Sequence, residues 1–307
     1  MVWTSQDCSA PRWNAGSMAD LAALFPGKQF ISTVLEALET KTAMSGDLAR
    51  RYLMRALMAG LIIGLMYVAY FSVLAAFSSA DGDVGALVDI GRIVGSLVFG
   101  WALVFIYYSK SELLTSNMMI ITIGAYYKQT TWSKSLRILG LCYLGNLLGG
   151  LLIAVLLRFS TLADGEVGTQ MEHAVEHKIS YLGEGAAGWG DLFVRAILCN
   201  FMINLAMLLV YNGLIKDDLT KSLVMIVSVF IFAFLGFEHS VANTVLFSII
   251  GLQGGLEILP ALGNIAIALL GNFVGGGLLI GLYYAYVNDQ RRYDPETGRR
   301  LPGRRRG

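Results

Sequence analysis

Six long apolar segments constrain the fold of this 307-residue chain more than any other feature. Each is long enough to cross roughly 30 Å of hydrocarbon as an α-helix. Backbone N–H and C=O groups in lipid must bond within their own helix, so runs of this length predict transmembrane helices. Hydrophobic residues make up 55% of the chain and charged residues only 15%, which is rare for a soluble domain. The six segments are 51–77, 88–127, 134–157, 189–214, 221–251 and 260–287.

The links between these segments carry an uneven distribution of charge. Lysine and arginine lie in the links after the second and fourth segments and in the C-terminal tail, whereas the link SSADGDVGA after the first segment holds only acids. Because positively charged loops stay in the cytoplasm, this pattern places both termini there. Before the first segment, KQFISTVLEALETKTAM sets Phe30, Val34 and Leu38 on one helical face. This spacing predicts an amphipathic cytoplasmic helix that packs on the membrane face or on a neighbouring subunit.

Composition also limits the classes of partner and cofactor. The formal net charge is +1, so no nucleic-acid partner is implied. Cys8, Cys142 and Cys199 lack the spacing of a metal site, and two of them lie inside apolar segments, which disfavours a disulfide framework. The sequence has no ATP-binding motif, flavin site or metal cluster. We therefore expect no cofactor and a process driven only by gradients.

Similar polar motifs interrupt the second and the fifth segments. SELLTSNM in the second and FEHSVANT in the fifth each have a glutamate followed five residues later by an asparagine. The pairs are Glu112 with Asn117 and Glu238 with Asn243, which gives an offset of 126 residues (238 minus 112). GNLLGG in the third segment and GNFVGGG in the sixth share this offset. Two motifs with one offset indicate an internal repeat.

The first and fourth segments extend the repeat. RALMAG and RAILCN match at an offset of 140 residues (195 minus 55), so the chain contains two copies of a three-helix unit. An odd number of spans per copy puts the copies in opposite orientations, which is the inverted-repeat plan of transporters and channels. Asn146 and Asn272 lie among glycines, and both can link helices by hydrogen bonds. For Asn272 the alternative is that it holds a residue in a pore.

His239 is the only histidine in a predicted span, since His173 and His177 lie in the loop between the third and fourth spans. An ionisable residue inside a membrane is a functional candidate. Histidine also changes its charge near neutral pH. The alternative is a neutral histidine held by structural hydrogen bonds. Glu238 and Glu112 are expected to have structural roles, with Glu238 facing away from the lumen.

SELLTSN, RAILCN, GFEHSVAN and GNFVGGG, in this order, resemble the motifs of the formate/nitrite transporter family over residues 30–290. The resemblance implies an aquaporin-like, all-α polytopic membrane protein, assembled as a homopentamer in a prokaryotic cell (inner) membrane. Each protomer would hold a pore for a small monovalent anion or its acid, with protons as the coupled species. Formate is the first expectation, and nitrite, hydrosulfide, acetate and lactate are the others.

The resemblance also implies the organisation of the chain. It predicts six transmembrane helices in two inverted three-helix repeats, with the second and fifth helices interrupted. The predicted parts are a cytoplasmic N-terminal segment 1–50, a first repeat 51–157, an extracytoplasmic loop 158–188, a second repeat 189–288 and a basic cytoplasmic tail 289–307.

Roles for single residues follow from the same resemblance. His239 is the central pore histidine, Thr115 faces it, Asn272 helps to hold it, and Asn200 is the polar residue of the outer vestibule. Phe99 and Phe232 would read as ordinary helix packing without the resemblance. The residues implied for the apolar constrictions are Phe99, Leu103 and Phe232, and Leu113, Leu114 and Ile203.

Two positions depart from the family pattern. Most members have a vestibule lysine sixteen residues before the asparagine of the CN motif, where this chain has Glu184, with Lys178 six residues further away. Glu184 at the vestibule mouth would disfavour anion entry, unless it is a solvated loop residue. Lys110 stands two residues before Glu112, where a small residue is more usual. We expect Lys110 to pair with Glu112 or Glu238, because an unpaired charge there is costly.

Two other functions remain open at this point. One is a water- or glycerol-type channel, whose permeation would not respond to pH or to substrate charge. The other is a non-transporting membrane assembly partner. An enzyme is not expected, because the chain has no visible constellation of nucleophile or cofactor residues.

Overall fold

The structure is a computed structural model, which describes residues 24–78, 84–291 and 293. Residues 1–23 of the predicted N-terminal segment, and most of the predicted basic tail, lie outside the described residues. The architecture of the described residues is all-α. The helices are α1 (Lys28–Gly46), α2 (Ala49–Ser78), α3 (Val84–Tyr108), α4 (Leu114–Tyr126), α5 (Trp132–Arg158), α6 (Glu166–Gly183), α7 (Gly185–Tyr211), α8 (Asp218–Phe234), α9 (Ser240–Gln253), α10 (Ile258–Asn272) and α11 (Tyr283–Val287), with a π-helical stretch Phe273–Leu282 before α11.

Five stretches of helix in the described residues are long and apolar enough to cross a membrane. The predicted fifth segment differs, because it is divided between α8 with 17 residues and α9 with 14 residues. Each is shorter than the roughly 20 residues that one span requires. The five stretches are Ala49–Ser78, Leu87–Tyr108, Trp132–Arg158, Gly185–Tyr211 and Ile258–Val287.

The chain leaves the helical conformation at 109–113 and at 235–239, between α3 and α4 and between α8 and α9. Each break contains one residue with left-handed backbone, Lys110 at φ 57° and Gly236 at φ 65°, and these positions are related by the offset of 126. Glycine adopts this conformation without steric cost, whereas lysine does so with strain. The two polar motifs therefore fold into similar turns.

Asn146 of α5 holds the first break. Its Nδ2 donates to the carbonyl oxygens of Ala56 and Glu112, both at 2.8 Å. Its Oδ1 accepts the backbone N–H of Leu114 at 3.1 Å. Asn146 is fully buried, so these bonds satisfy backbone groups that water does not reach.

Asn272 of α10 holds the second break with the same three contacts. Its Nδ2 donates to the carbonyl oxygens of Ala196 at 2.8 Å and of Glu238 at 2.9 Å. Its Oδ1 accepts the backbone N–H of Ser240 at 2.8 Å. Each partner is shifted by 126 or 140 residues from its counterpart around Asn146. Asn146 and Asn272 therefore have equivalent roles, since each holds the break in its own half of the chain.

Glycines allow the helices that carry these asparagines to pack closely. A Cβ on Gly149 of α5 would overlap the carbonyl oxygen of Leu57 in α2, and a Cβ on Gly275 would overlap that of Ile197 in α7. Backbones that approach this closely require glycine at the contact. The close packing brings each asparagine within reach of its break.

Two helices lie outside the repeated motifs. The predicted amphipathic helix is α1, which buries Phe30, Val34 and Leu38 against α4 and α2 of the same chain. The predicted loop 158–188 contains the 18-residue helix α6, which packs against α2, α7 and α10. Both helices contribute side chains to the site described next.

Candidate functional site

Three neighbouring cavities within the described residues share lining side chains. We call the cavity of about 310 Å³ that is lined in part by α6 the outer cavity, and the cavity of about 180 Å³ that includes Lys41 of α1 the inner cavity. Between them lies a central cavity of about 20 Å³, which has room for about one water-sized molecule. The outer and central cavities share Phe99, Phe232 and His239, and the central and inner cavities share Leu103, Ile106 and Leu113.

The central cavity is almost entirely apolar. Of its eleven lining residues only His239 has a polar side chain. The Phe99 and Phe232 rings meet edge to face, with centroids 6.3 Å apart, between the central and outer cavities. The lining residues are Ile63, Phe99, Ala102, Leu103, Ile106, Leu113, Ile203, Val229, Phe232, His239 and Ala242.

Four pairs of these lining residues are related by the internal repeat. His239 corresponds to Leu113 at the offset of 126, so the same position is polar in one half of the chain and apolar in the other. This substitution makes the cavity chemically asymmetric. The other pairs are Leu103 with Val229 and Ile106 with Phe232 at the offset of 126, and Ile63 with Ile203 at the offset of 140.

His239 is the N-cap of α9. Its Nδ1 accepts the backbone N–H of Ala242 at 3.0 Å, and its Nε2 lies 3.0 Å from Oγ1 of Thr115. A backbone N–H can only donate, so Nδ1 carries a lone pair and Nε2 carries the hydrogen of the neutral ring. Nε2–H therefore donates to Thr115. The structure thus brings together the two residues that the sequence places face to face.

Two helix N-termini meet beside the central cavity. The helix α4 begins at Leu114, directly after the lining residue Leu113, and α9 begins at Ser240, directly after His239. Each N-terminus carries a partial positive charge from its helix dipole. Negative charge in the central cavity is therefore favoured relative to an apolar cavity without these dipoles.

A buried ion pair lies in the outer cavity. Glu238 is 1% exposed and accepts from Nζ of Lys178 at 2.9 Å. Asn243 donates to the second carboxylate oxygen of Glu238 and to Oδ1 of Asn264. Since Glu238 lines the outer cavity, the expectation that it faces away from the lumen is wrong.

A second ion pair occupies the corresponding place in the inner cavity. Glu112 pairs with Lys41 of α1 and accepts from Nδ2 of Asn117 at 3.3 Å. Asn117 also donates to the hydroxyl of Tyr52 at 2.9 Å. Each of the two glutamates of the repeated motif therefore pairs with a lysine from a helix outside the repeat. Glu112 pairs with Lys41 of α1, and Glu238 pairs with Lys178 of α6.

These partners correct the expectation for Lys110. Its Nζ lies 5.0 Å from the ring centroid of Tyr107, whereas Lys41 and Lys178 pair with the two glutamates. The left-handed turn at Lys110 directs the side chain back toward α3. Lys41 and Lys178 could not be predicted as the partners of the two glutamates, because neither lysine belongs to a repeated motif.

The structure also corrects the place of Glu184. This residue is exposed at the junction of α6 and α7 and is not among the residues that line the outer cavity. Lys178 lines that cavity instead. Lys178 lies within α6, six residues or about 9 Å along the helix axis from the C-cap position of Glu184.

Asn200 and Leu114 also lie elsewhere than the resemblance implies. Asn200 is fully buried, and its Nδ2 donates to the carbonyl oxygens of Thr115 at 3.1 Å and of Asn272 at 2.7 Å, outside the lining of the three cavities described above. Leu114 starts α4 and points into the core, because successive residues in the extended break face opposite ways. Leu103 lies between the central and inner cavities rather than beside Phe99 and Phe232.

Five lining residues of the central cavity are absent from the sequence-based site: Ile63, Ala102, Ile106, Val229 and Ala242. The repeat offsets contain the signal for three of them. Applying the offsets to Ile203, Phe232 and Leu103 leads to Ile63, Ile106 and Val229.

Helices of this apolarity, packed around three neighbouring cavities, define a membrane protein with cavities between its helices. Residues 28–286 match the family model described as formate/nitrite transporter. The chain belongs to the formate/nitrite transporter family and is a multi-pass membrane protein.

Known relatives match most of this chain in sequence, and solved structures share its fold. The chain is 30% identical over 257 residues to the formate channel FocA of Haemophilus influenzae, covering 76% of this chain and 85% of the relative. A solved structure described as an "FNT family ion channel" aligns with a TM-score of 0.71 at 23% identity, over 84% of this chain and 98% of the other. A "pentameric formate channel with formate bound" aligns with a TM-score of 0.62 at 23% identity, over 78% and 97%.

Proposed function

We propose that the chain carries out passive, proton-linked transport of a small monovalent anion or its acid, with formate as the first substrate. The observation that carries this proposal is the continuity of the outer, central and inner cavities through shared lining residues. Family membership and the relatives named as formate channels support the same class of substrate.

The proposed topology has six spans in two inverted three-helix repeats, 51–157 and 189–288. The matched contacts of Asn146 and Asn272 support the repeat. Pairing α3 with α4, and α8 with α9, supplies the second and fifth spans. Both termini and the segments 1–50 and 289–307 lie in the cytoplasm of a prokaryotic inner membrane, and the segment 158–188 lies outside.

The proposed assembly is a homopentamer in which each protomer has its own path. Support comes from the solved structure described as pentameric. The apolar side chains exposed on this chain also suit contact with lipid or with other protomers, for example Leu65 at 57% exposure and Leu270 at 65%.

The central cavity favours crossing by a neutral species. Ten of its lining side chains are apolar and its volume is about 20 Å³, so a bare anion would lose nearly all of its hydration there. The effective cost of burying an unpaired ion is several kcal/mol. The helix N-termini offset part of that cost, and a proton that joins the anion before or at the constriction removes most of the remainder.

His239 and Thr115 supply the polar contacts in the middle of the path. At rest Nε2–H of His239 donates to Thr115. During passage the same N–H, or the Thr115 hydroxyl, donates to an oxygen of the substrate. The N-cap bond to Ala242 keeps the ring in place, and Asn272 holds the turn that carries it rather than the ring itself.

A substrate panel in proteoliposomes tests the function. Uptake of formate, nitrite, hydrosulfide, acetate and lactate is measured at several pH values, with glycerol and water as controls. Because the central cavity has room for only about one water-sized molecule, we expect hydrosulfide, formate and nitrite to enter faster than acetate, and lactate to enter slowest. Uptake should rise as the pH falls, since acid increases the neutral fraction.

The other functions give different results in the same assay. A neutral-solute channel would pass glycerol or water at rates independent of pH. A non-transporting partner would give the same rates as empty liposomes for every solute. Either result would contradict the proposal.

A further inference from the structure

We propose that His173 and His177 form a binding site for a divalent transition-metal ion at the mouth of the outer cavity. Both residues lie on α6 with i, i+4 spacing and line the outer cavity together with Gln170 and Lys178. Side chains four residues apart on a helix are neighbours on one face. Two histidines at this spacing are the arrangement with which helices hold zinc in metalloprotease motifs.

The polar neighbours of the two rings leave one nitrogen of each ring for a metal. Nδ1 of His173 lies 3.5 Å from Oε2 of Glu176, so Nε2 is available as a ligand. A carboxylate on the second ring nitrogen is the usual support of a metal-binding histidine. Nε2 of His177 lies 3.3 Å from the Tyr181 hydroxyl.

The Tyr181 hydroxyl can accept the Nε2 hydrogen of His177. This arrangement leaves the Nδ1 lone pair of His177 for the metal.

The site would have two protein ligands. No group of three or more His, Cys, Asp and Glu side chains in the described part of the chain is placed to hold a metal ion. Water, or an anion that enters the cavity, would complete the coordination. Imidazole suits Cu²⁺, Ni²⁺ and Zn²⁺, and Cu²⁺ should bind most tightly.

The nearby cations do not prevent binding. Lys178 is paired with Glu238 at 2.9 Å, and Arg92 lies 3.9 Å from Asp89. His173 is 68% exposed at the side chain, so an ion reaches it from solvent. An ion held here would occupy the cavity through which the anion enters, and it would slow transport.

The binding test uses the tag-free full-length protein in lipid nanodiscs. Calorimetry with Ni²⁺ and electron paramagnetic resonance with Cu²⁺ should show one ion per protomer with two nitrogen ligands. His173→Ala or His177→Ala should each remove this binding. Glu176→Gln should weaken it by about 10- to 100-fold, as loss of an outer-shell partner does.

A register control separates the pair from the number of histidines. The double substitution Glu172→His, His173→Ala keeps three histidines in the chain but places the two on α6 five residues apart, on different faces. This variant should not bind the ion with two nitrogens. Equal binding by the unaltered protein and by the variant lacking both His173 and His177 would overturn the proposal.

The effect on transport rests on the proposed function, whereas the binding result does not. Ni²⁺ in the medium should slow formate uptake by the unaltered protein and leave the His173→Ala variant unaffected. Binding that leaves uptake unchanged would place the ion off the path and contradict the proposal. Absence of uptake without metal would overturn the function alone, because calorimetry still decides the metal site.

Discussion

The His239→Phe variant is expected to lose most of its anion uptake. Phenylalanine has no hydrogen-bond donor for the substrate and leaves all eleven lining side chains of the central cavity apolar. A buried polar group of the substrate left without its hydrogen bond costs about 1–3 kcal/mol, which corresponds to a decrease of roughly 5- to 150-fold in rate. Formate uptake in proteoliposomes, normalised to assembled protein, measures this effect.

Loss of the N-cap must be separated from loss of the donor. Phenylalanine also leaves the Ala242 N–H without its acceptor, which costs about 0.5–2 kcal/mol of stability. His239→Asn is the matched control, since asparagine caps helices well and also carries a donor. We expect the Asn variant to keep its stability and more of its uptake. Unchanged uptake with unchanged pH dependence in a folded Phe variant would contradict a pore role for His239.

The Asn272→Leu variant is expected to lose stability strongly. Leucine is close to asparagine in size but makes none of the three hydrogen bonds to Ala196, Glu238 and Ser240. Each buried backbone group left unpaired costs about 1–3 kcal/mol, so we expect a loss of at least about 3 kcal/mol. The measurement is the temperature at which the detergent-solubilised assembly dissociates.

Two further variants test the reason for this loss. Asn146→Leu removes the three equivalent bonds in the other half of the chain and should destabilise the protein to a similar extent. Asn272→Asp keeps the acceptor for Ser240 but sets a buried carboxylate oxygen against the carbonyl oxygens of Ala196 and Glu238, so it should be at least as harmful as Asn272→Leu. A dissociation temperature for Asn272→Leu equal to that of the unaltered protein would show that the turn is held by other contacts.

The sequence predicts much of the fold because the signals are local or repeated. Apolar length predicts the long helices, and the paired polar motifs predict interruptions in the second and fifth segments, where the structure has turns at 109–113 and 235–239. The fifth segment shows the limit of hydropathy alone, since it merges α8 and α9 into one run. A polar turn inside an apolar run is visible only from its motif.

The site is predicted less completely, because whether a residue lines a cavity depends on the direction of its side chain as well as on its position in the sequence. The offset of 126 makes Leu113 the counterpart of His239, and both residues line the central cavity. The next residue, Leu114, is buried in the core instead. Counting back from Asn200 leads to Glu184, which is the exposed C-cap of α6, so a position count alone does not identify the lining lysine. Lys41 and Lys178 could not be found from the repeat, because the helices that carry them have no counterparts in it.

We propose that the substrate passes through the central cavity of each protomer. Val229 lines this cavity and is 2% exposed, whereas Val227, two residues earlier on α8, is 51% exposed and faces outward. Phenylalanine at the first position fills the cavity, and at the second it projects from the surface.

Formate uptake by Val229→Phe and Val227→Phe, compared at equal amounts of assembled protein in the same liposomes, tests this claim most directly. We expect Val229→Phe to lose uptake and Val227→Phe to transport like the unaltered protein. Equal uptake by the two variants would contradict it and place the route outside this cavity.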